Sequence, residues 1–130
     1  MVYTCPLRAL ASEHSNDFRR KYSEPLSIKG VLSTGELDSS GSYLGSKDII
    51  FSTYEKLDSL LTHRAEWLSN IGLLVVDEIH SIGSDRGATL EMLITKLRFV
   101  NSKMQVLGLS ATIPNALQLS EWLGATLVES

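Results

Sequence analysis

The tightest constraint on this fold is the segment Leu73-Leu74-Val75-Val76-Asp77-Glu78-Ile79-His80, where four aliphatic residues run unbroken into two carboxylates and a histidine. Four consecutive apolar residues offer no polar face, so a strand made of them is buried on both sides, as in a parallel sheet. Carboxylates at its end stand at the margin of a core, where charge is tolerated only when something pairs with it. Similar short apolar runs occur at Val2–Cys5, 28–32, 49–52, 105–109 and, more weakly, 126–128. Between them Leu7, Leu10, Ala11, Phe18 and Tyr22, and later Leu90, Leu93, Ile94 and Leu97, recur at three- and four-residue steps or their multiples. That spacing predicts amphipathic helices. Pro6 stands where a first helical residue belongs, Ser52-Thr53-Tyr54-Glu55 has the form of a capping box, and Pro114 opens a helix that Gly124 can close. The order predicts an α/β fold, a parallel sheet flanked by helices on both faces, with ligand groups gathered where strands end.

Composition narrows the functional classes. With 43% hydrophobic and 21% charged residues in a chain of 130, a single globular core is expected, and residues 1–130 read as one domain without repeat or linker. A net charge of −3 gives no bulk attraction to nucleic acid, so any such site must be local. The lone Cys5 excludes an internal disulfide and a zinc site built on several thiolates, and reads as a small buried residue. No apolar run approaches a membrane span and the start lacks the basic residues of a secretory signal. The expectation is an intracellular chain (cytoplasm or nucleoid, nucleus if eukaryotic) with no membrane partner.

The strand ends carry the candidate chemistry. In an open parallel sheet the ends of 73–76 and 105–109 lie side by side, bringing Asp77, Glu78 and His80 near Ser110-Ala111-Thr112. One carboxylate at such a tip suits Mg²⁺, which takes few protein ligands and keeps waters for substrate phosphates. Asp77 would hold the ion through water, and Glu78 would orient the attacking water in phosphoryl transfer. Two solvated acids, a loop histidine and a helix cap at Ser110 and Thr112 remain the plainer alternatives. Arg8, Thr53 and Lys56 sit in or beside first helical turns, whose free N–H groups attract phosphates, although Arg8 and Lys56 taken singly read as solvated charges. Arg19-Arg20-Lys21 reads as a solvated face.

Asp77-Glu78-Ile79-His80 resembles motif II, the Walker B element, of superfamily-2 helicases, and Ser110-Ala111-Thr112 resembles their motif III. Pro6-Leu7-Arg8-Ala9-Leu10 is similar to motif Ia, Thr34-Gly35 to motif Ib, and Ser52-Thr53-Tyr54-Glu55-Lys56 to the motif that follows. All occur in family order. Residues 82–91 and 110–115 further resemble the Ski-like group, especially its archaeal DNA-repair branch. The resemblance implies part of the first RecA-like (DEAD/DEAH-type) domain of a motor that hydrolyses ATP with Mg²⁺ against a second RecA-like domain, while single-stranded or forked DNA, or RNA, crosses the other side. By that resemblance Asp77 is the water-mediated magnesium ligand, Glu78 the base and His80 a relay. Ser110, Ala111 and Thr112 couple the nucleotide to the strand, and Pro6, Arg8, Thr34, Gly35, Thr53, Glu55 and Lys56 bind nucleic acid.

One family element has no counterpart here. A phosphate loop, G-x-x-x-x-G-K-[ST], needs a Gly-Lys pair, and there is none; Gly41-Ser42-Tyr43-Leu44-Gly45-Ser46-Lys47 has the wrong spacing and precedes a strand. The expectation is therefore an internal fragment of such a motor, or the product of a truncated reading frame, inactive as an ATPase by itself. Its missing N-terminal segment would supply the phosphate-loop strand between 105–109 and 126–128, leaving the RecA-like sheet incomplete. Gly108-Leu109-Ser110-Ala111-Thr112 nearly copies a hydrolase nucleophile elbow, but its second glycine is Thr112 and no histidine follows Ser110. A non-catalytic module that binds nucleic acid or a partner stays open.

Overall fold

The computed structural model describes residues 1–35, 41–85, 87–111 and 113–128. Five strands, β1 (Val2–Cys5), β2 (Gly30–Ser33), β3 (Ile49–Thr53), β4 (Leu73–Val76) and β5 (Gln105–Gly108), form one sheet in the order β2-β3-β1-β4-β5. Every pairing is parallel. The helices are α1 (Arg8–Phe18), α2 (Glu24–Leu26), α3 (Tyr54–Thr62), α4 (Gly87–Val100) and α5 (Ala116–Leu123). Among the described residues no helix is long and apolar enough to cross a membrane.

Register sorts the side chains. Val31, Ile50, Val2, Leu74 and Val106 are aligned across the five strands, and side chains on one face alternate with those on the other. Val2, Ile50 and Leu74 of that row form the main core with Leu57 and Leu60 of α3 and Leu90, Leu93, Ile94 and Leu97 of α4. Each fully buried leucine stabilises the fold by about 1.5–3 kcal/mol. On the opposite face runs the row Leu32, Phe51, Tyr3, Val75, Leu107. There α1 covers the centre, with the Phe18 and Phe51 rings 5.7 Å apart and those of Tyr3 and His14 4.9 Å apart. This cover stops short of β5, where Leu107 is 48% exposed, so the expectation of helices over both faces holds for the central strands only.

Several boundaries differ from the sequence reading. Helix α1 starts at Arg8 instead of Pro6, because Leu7 stays extended as the N-cap while its carbonyl accepts from Ala11 N–H and the Cys5 thiol. The cap of α3 is Thr53, whose hydroxyl accepts from Lys56 N–H at 3.3 Å; Ser52 is still inside β3, so no Ser52–Glu55 box forms. Asn115 is the N-cap of α5, with Pro114 in the preceding turn, and Gly124 closes it in the left-handed conformation at φ 58°. After α1 the chain continues through a π-helical turn, Arg19–Ser23, whose basic run is exposed as expected. Residues 126–128 form no strand: Val128 is 84% exposed, and three residues with no hydrogen-bonded neighbour have no ladder to join. Among the described residues β5 is paired on one side only.

Candidate functional site

Asp77 directly follows β4 and is bonded at every polar group. Its N–H donates to Thr4 O at 2.9 Å, continuing the ladder to β1. The Tyr3 hydroxyl donates to Oδ2 at 2.7 Å, and His14 Nε2 of α1 lies 3.4 Å from the same oxygen. Oδ1 accepts from Glu78 N–H at 2.9 Å, and the Asp77 carbonyl accepts from the buried Tyr54 hydroxyl. Burial, and for Tyr3 its bond to Asp77 as well, drives both phenols well above the usual tyrosine range, so they remain neutral donors.

The turn after Asp77 is sharp. Glu78 takes the left-handed conformation, φ 54° and ψ 40°, which is unfavourable by about 1–2 kcal/mol for a residue with a Cβ. What holds it is the next residue, since Ile79 N–H donates to Leu109 O at 2.9 Å and ties the turn to the end of β5. Gly87 lets α4 close on this turn, because a Cβ there would overlap the Ile82 carbonyl. The result brings three expected residues together. His80 Nε2 is 3.0 Å from Glu78 Oε2, and His80 Nδ1 is 3.2 Å from Ser110 Oγ. Ser110 donates its own proton to Ala111 O at 2.7 Å, so it accepts from Nδ1–H; Nε2 can then donate to Glu78 only from the doubly protonated ring. The neutral ring serves one partner at a time. Ala111 is exposed, and Thr112 lies outside the described residues.

A second site occupies the ends of β1, β2 and β3. Pro6, Arg8, Thr34, Gly35, Thr53, Glu55 and Lys56, together with Leu7 and Ser59, line a cleft of about 540 Å³. Among the described residues no side chain caps the start of α1, whose first N–H groups have no intrahelical partner. Arg8 is exposed, as a surface charge is expected to be, but Lys56 departs from a solvated-surface reading. Arg8 Nη2 donates to Thr34 O at 2.8 Å and straps α1 to the exit of β2. Lys56 is only 7% exposed, and among the described residues its ammonium has no ion pair or side-chain hydrogen bond.

Tyr3, His14 and Tyr54 escaped the sequence reading as site residues. Tyr3 sits in a strand that reads as plain core, and only the pairing of Tyr3 with Val75 places its phenol below Asp77. No group of three or more His, Cys, Asp or Glu poised to hold a metal occurs among the described residues. A half-buried carboxylate with free lone pairs remaining fits an ion that takes one protein ligand through water, as Mg²⁺ does.

Residues 1–119 match the DEAD/DEAH box helicase family. The chain is 51% identical over 130 residues to "ATP-dependent DNA helicase Hel308" of Pyrococcus horikoshii, covering 99% of this chain and 18% of that protein. It is 51% identical over 126 residues to the protein of the same name from Caldivirga maquilingensis, covering 96% of this chain and 16% of that one. The chain thus spans under a fifth of the length of these relatives. In three dimensions it superposes on the DUF1998 helicase MrfA, solved with DNA and AMPPNP, at a TM-score of 0.77 and 22% identity, over 99% of this chain and 20% of that one. That likeness establishes a RecA-like helicase fold. Matched along most of its length and half identical to these relatives, the chain belongs to the DEAD/DEAH box helicase family.

Proposed function

We propose that this segment is the strand-binding and motif II part of the first RecA-like domain of an ATP-dependent DNA helicase. The observation that supports this best is the sorting of its residues: Asp77, Glu78, His80 and Ser110 meet at one place on the sheet's C-terminal edge, and the residues similar to motifs Ia, Ib and the next line a cleft at another. Bound Mg²⁺ would neutralise phosphate oxygens of ATP. Asp77 would hold its water shell from a carboxylate already fixed by Tyr3. Glu78, turned back by its left-handed backbone, would orient and deprotonate the attacking water. His80, able to serve Glu78 or Ser110, would report that step to the Ser110-Ala111-Thr112 segment. In the cleft, Lys56 and the open start of α1 would hold strand phosphates, so binding is expected to be nearly independent of sequence and strongly dependent on salt. The DNA helicases among its relatives favour DNA over RNA as the strand.

The test is Glu78→Gln in the P. horikoshii relative carrying this segment in place of its own. Binding of ATP and of single-stranded DNA should persist while turnover falls at least about 100-fold, the lower end for loss of a general base. Undiminished turnover would remove Glu78 from that role.

A further inference from the structure

Tyr54 stands inside the segment similar to the motif after Ib without lining the cleft itself, and its side chain reaches the Asp77 corner instead. Its backbone is the first turn of α3, between the cap Thr53 and the cleft residues Glu55 and Lys56. Its side chain, 1% exposed, runs through the α3–α4 core and ends on the Asp77 carbonyl, the atom that directly precedes the left-handed Glu78. Strand β1 lies between β3 and β4, so the phenol reaches past one whole strand. Asp77 is also held from the opposite face, by Tyr3 and His14.

We propose that Tyr54 is a positioning residue that links occupancy of the strand cleft to the setting of the Asp77–Glu78 turn. This rests on reading the cleft as the strand site. A phosphate drawn to the start of α3 moves or stiffens that turn. The rigid phenol carries the change to the Asp77 carbonyl, and with it the direction in which Glu78 points.

The experiment uses the P. horikoshii relative carrying this segment, with an oligodeoxythymidine as the strand. Tyr54→Phe, which keeps the ring and removes the hydroxyl, should leave strand affinity unchanged, because the phenol does not line the cleft. It should reduce the ratio of strand-stimulated to strand-free hydrolysis about five- to tenfold, the lower end of a typical coupling between two sites. An unchanged ratio, or an equal fall of both rates, would overturn the link, the second outcome marking a merely structural role. In the unsubstituted protein the oligonucleotide should slow hydrogen exchange at amides 78–83, and no change there would equally overturn it, whether or not the variant folds. Two cleft variants separate the two ideas. Unchanged affinity in both Lys56→Ala and Arg8→Ala would remove the cleft reading and the link with it, whereas weakened affinity beside an unaltered Tyr54→Phe ratio would remove the link alone.

Discussion

Asp77 and Lys56 are both charged residues at the margin of the core, and they are treated in opposite ways. The carboxylate accepts from a phenol and a backbone amide, and its carbonyl and N–H are both bonded. The lysine has its stem buried against the cleft wall, and among the described residues its ammonium has no ion pair. A group whose position is set before any ligand arrives suits chemistry, where misplacement costs rate. A charge whose stem is packed and whose tip is free suits attraction of a flexible polyanion, for which only the presence of charge is required. The difference thus separates a preorganised corner from an adaptable one on the same sheet edge.

Cys5 lies between the two regions and senses both. Burial pushes its thiol up to about 11, and the charges of Asp77 and Glu55 push in the same direction. The unfolded thiol ionises near 9, so between pH 9 and about 11 the unfolded chain has lost a proton that the folded chain retains. Stability is therefore full below 9 and falls as pH rises through this window, by at most about 2–3 kcal/mol. Comparing denaturation midpoints of the unsubstituted chain and Cys5→Ala across that range isolates the thiol from the other titrating groups. A slope identical in both would mean that the wall between the two regions is open to water.

The next largest effect concerns strand binding. Lys56→Ala in the complete protein should weaken single-stranded DNA about tenfold at low salt and flatten the salt dependence by about one contact, equally for unrelated sequences. Arg8→Ala should cost less, about threefold, with little change in salt slope, because its guanidinium is already engaged with the Thr34 carbonyl. The reverse order would break the comparison, making Arg8 the phosphate ligand and Lys56 a packed stem.

That asymmetry was beyond the sequence, and the reasons are physical. The corner at Asp77 was legible because an unbroken apolar run entering two acids has few structural solutions. Apart from 126–128, the strands and main helices were legible to within a few residues from periodicity and the proline, glycine and capping residues between them. The partners were not, since Tyr3 reaches Asp77 and Arg8 reaches Thr34 only through the register of parallel strands that lie far apart in the chain. Lys56 read as a solvated charge because its type says nothing of how deeply its stem is packed. Residues 126–128 read as a strand because β-propensity is local, whereas a ladder needs a neighbour.

The smallest effect is the sharpest test of which kind of corner the cleft is. Glu55 is exposed in the first turn of α3, where a carboxylate favours the helix dipole, and it shares the cleft with Lys56 and Arg8. If the cleft attracts phosphates by charge alone, Glu55 opposes that attraction. Glu55→Gln should then tighten DNA about twofold at low salt, with the gain vanishing as salt shortens the screening length. The helix itself should lose about 0.3–1 kcal/mol as the dipole loses its partner. A variant that binds more weakly would show the opposite, that the carboxylate accepts a hydrogen bond from the strand. In that case the cleft would be a fitted site like the corner at Asp77, and weakening greater for RNA than for DNA would identify the sugar 2′-hydroxyl as the donor.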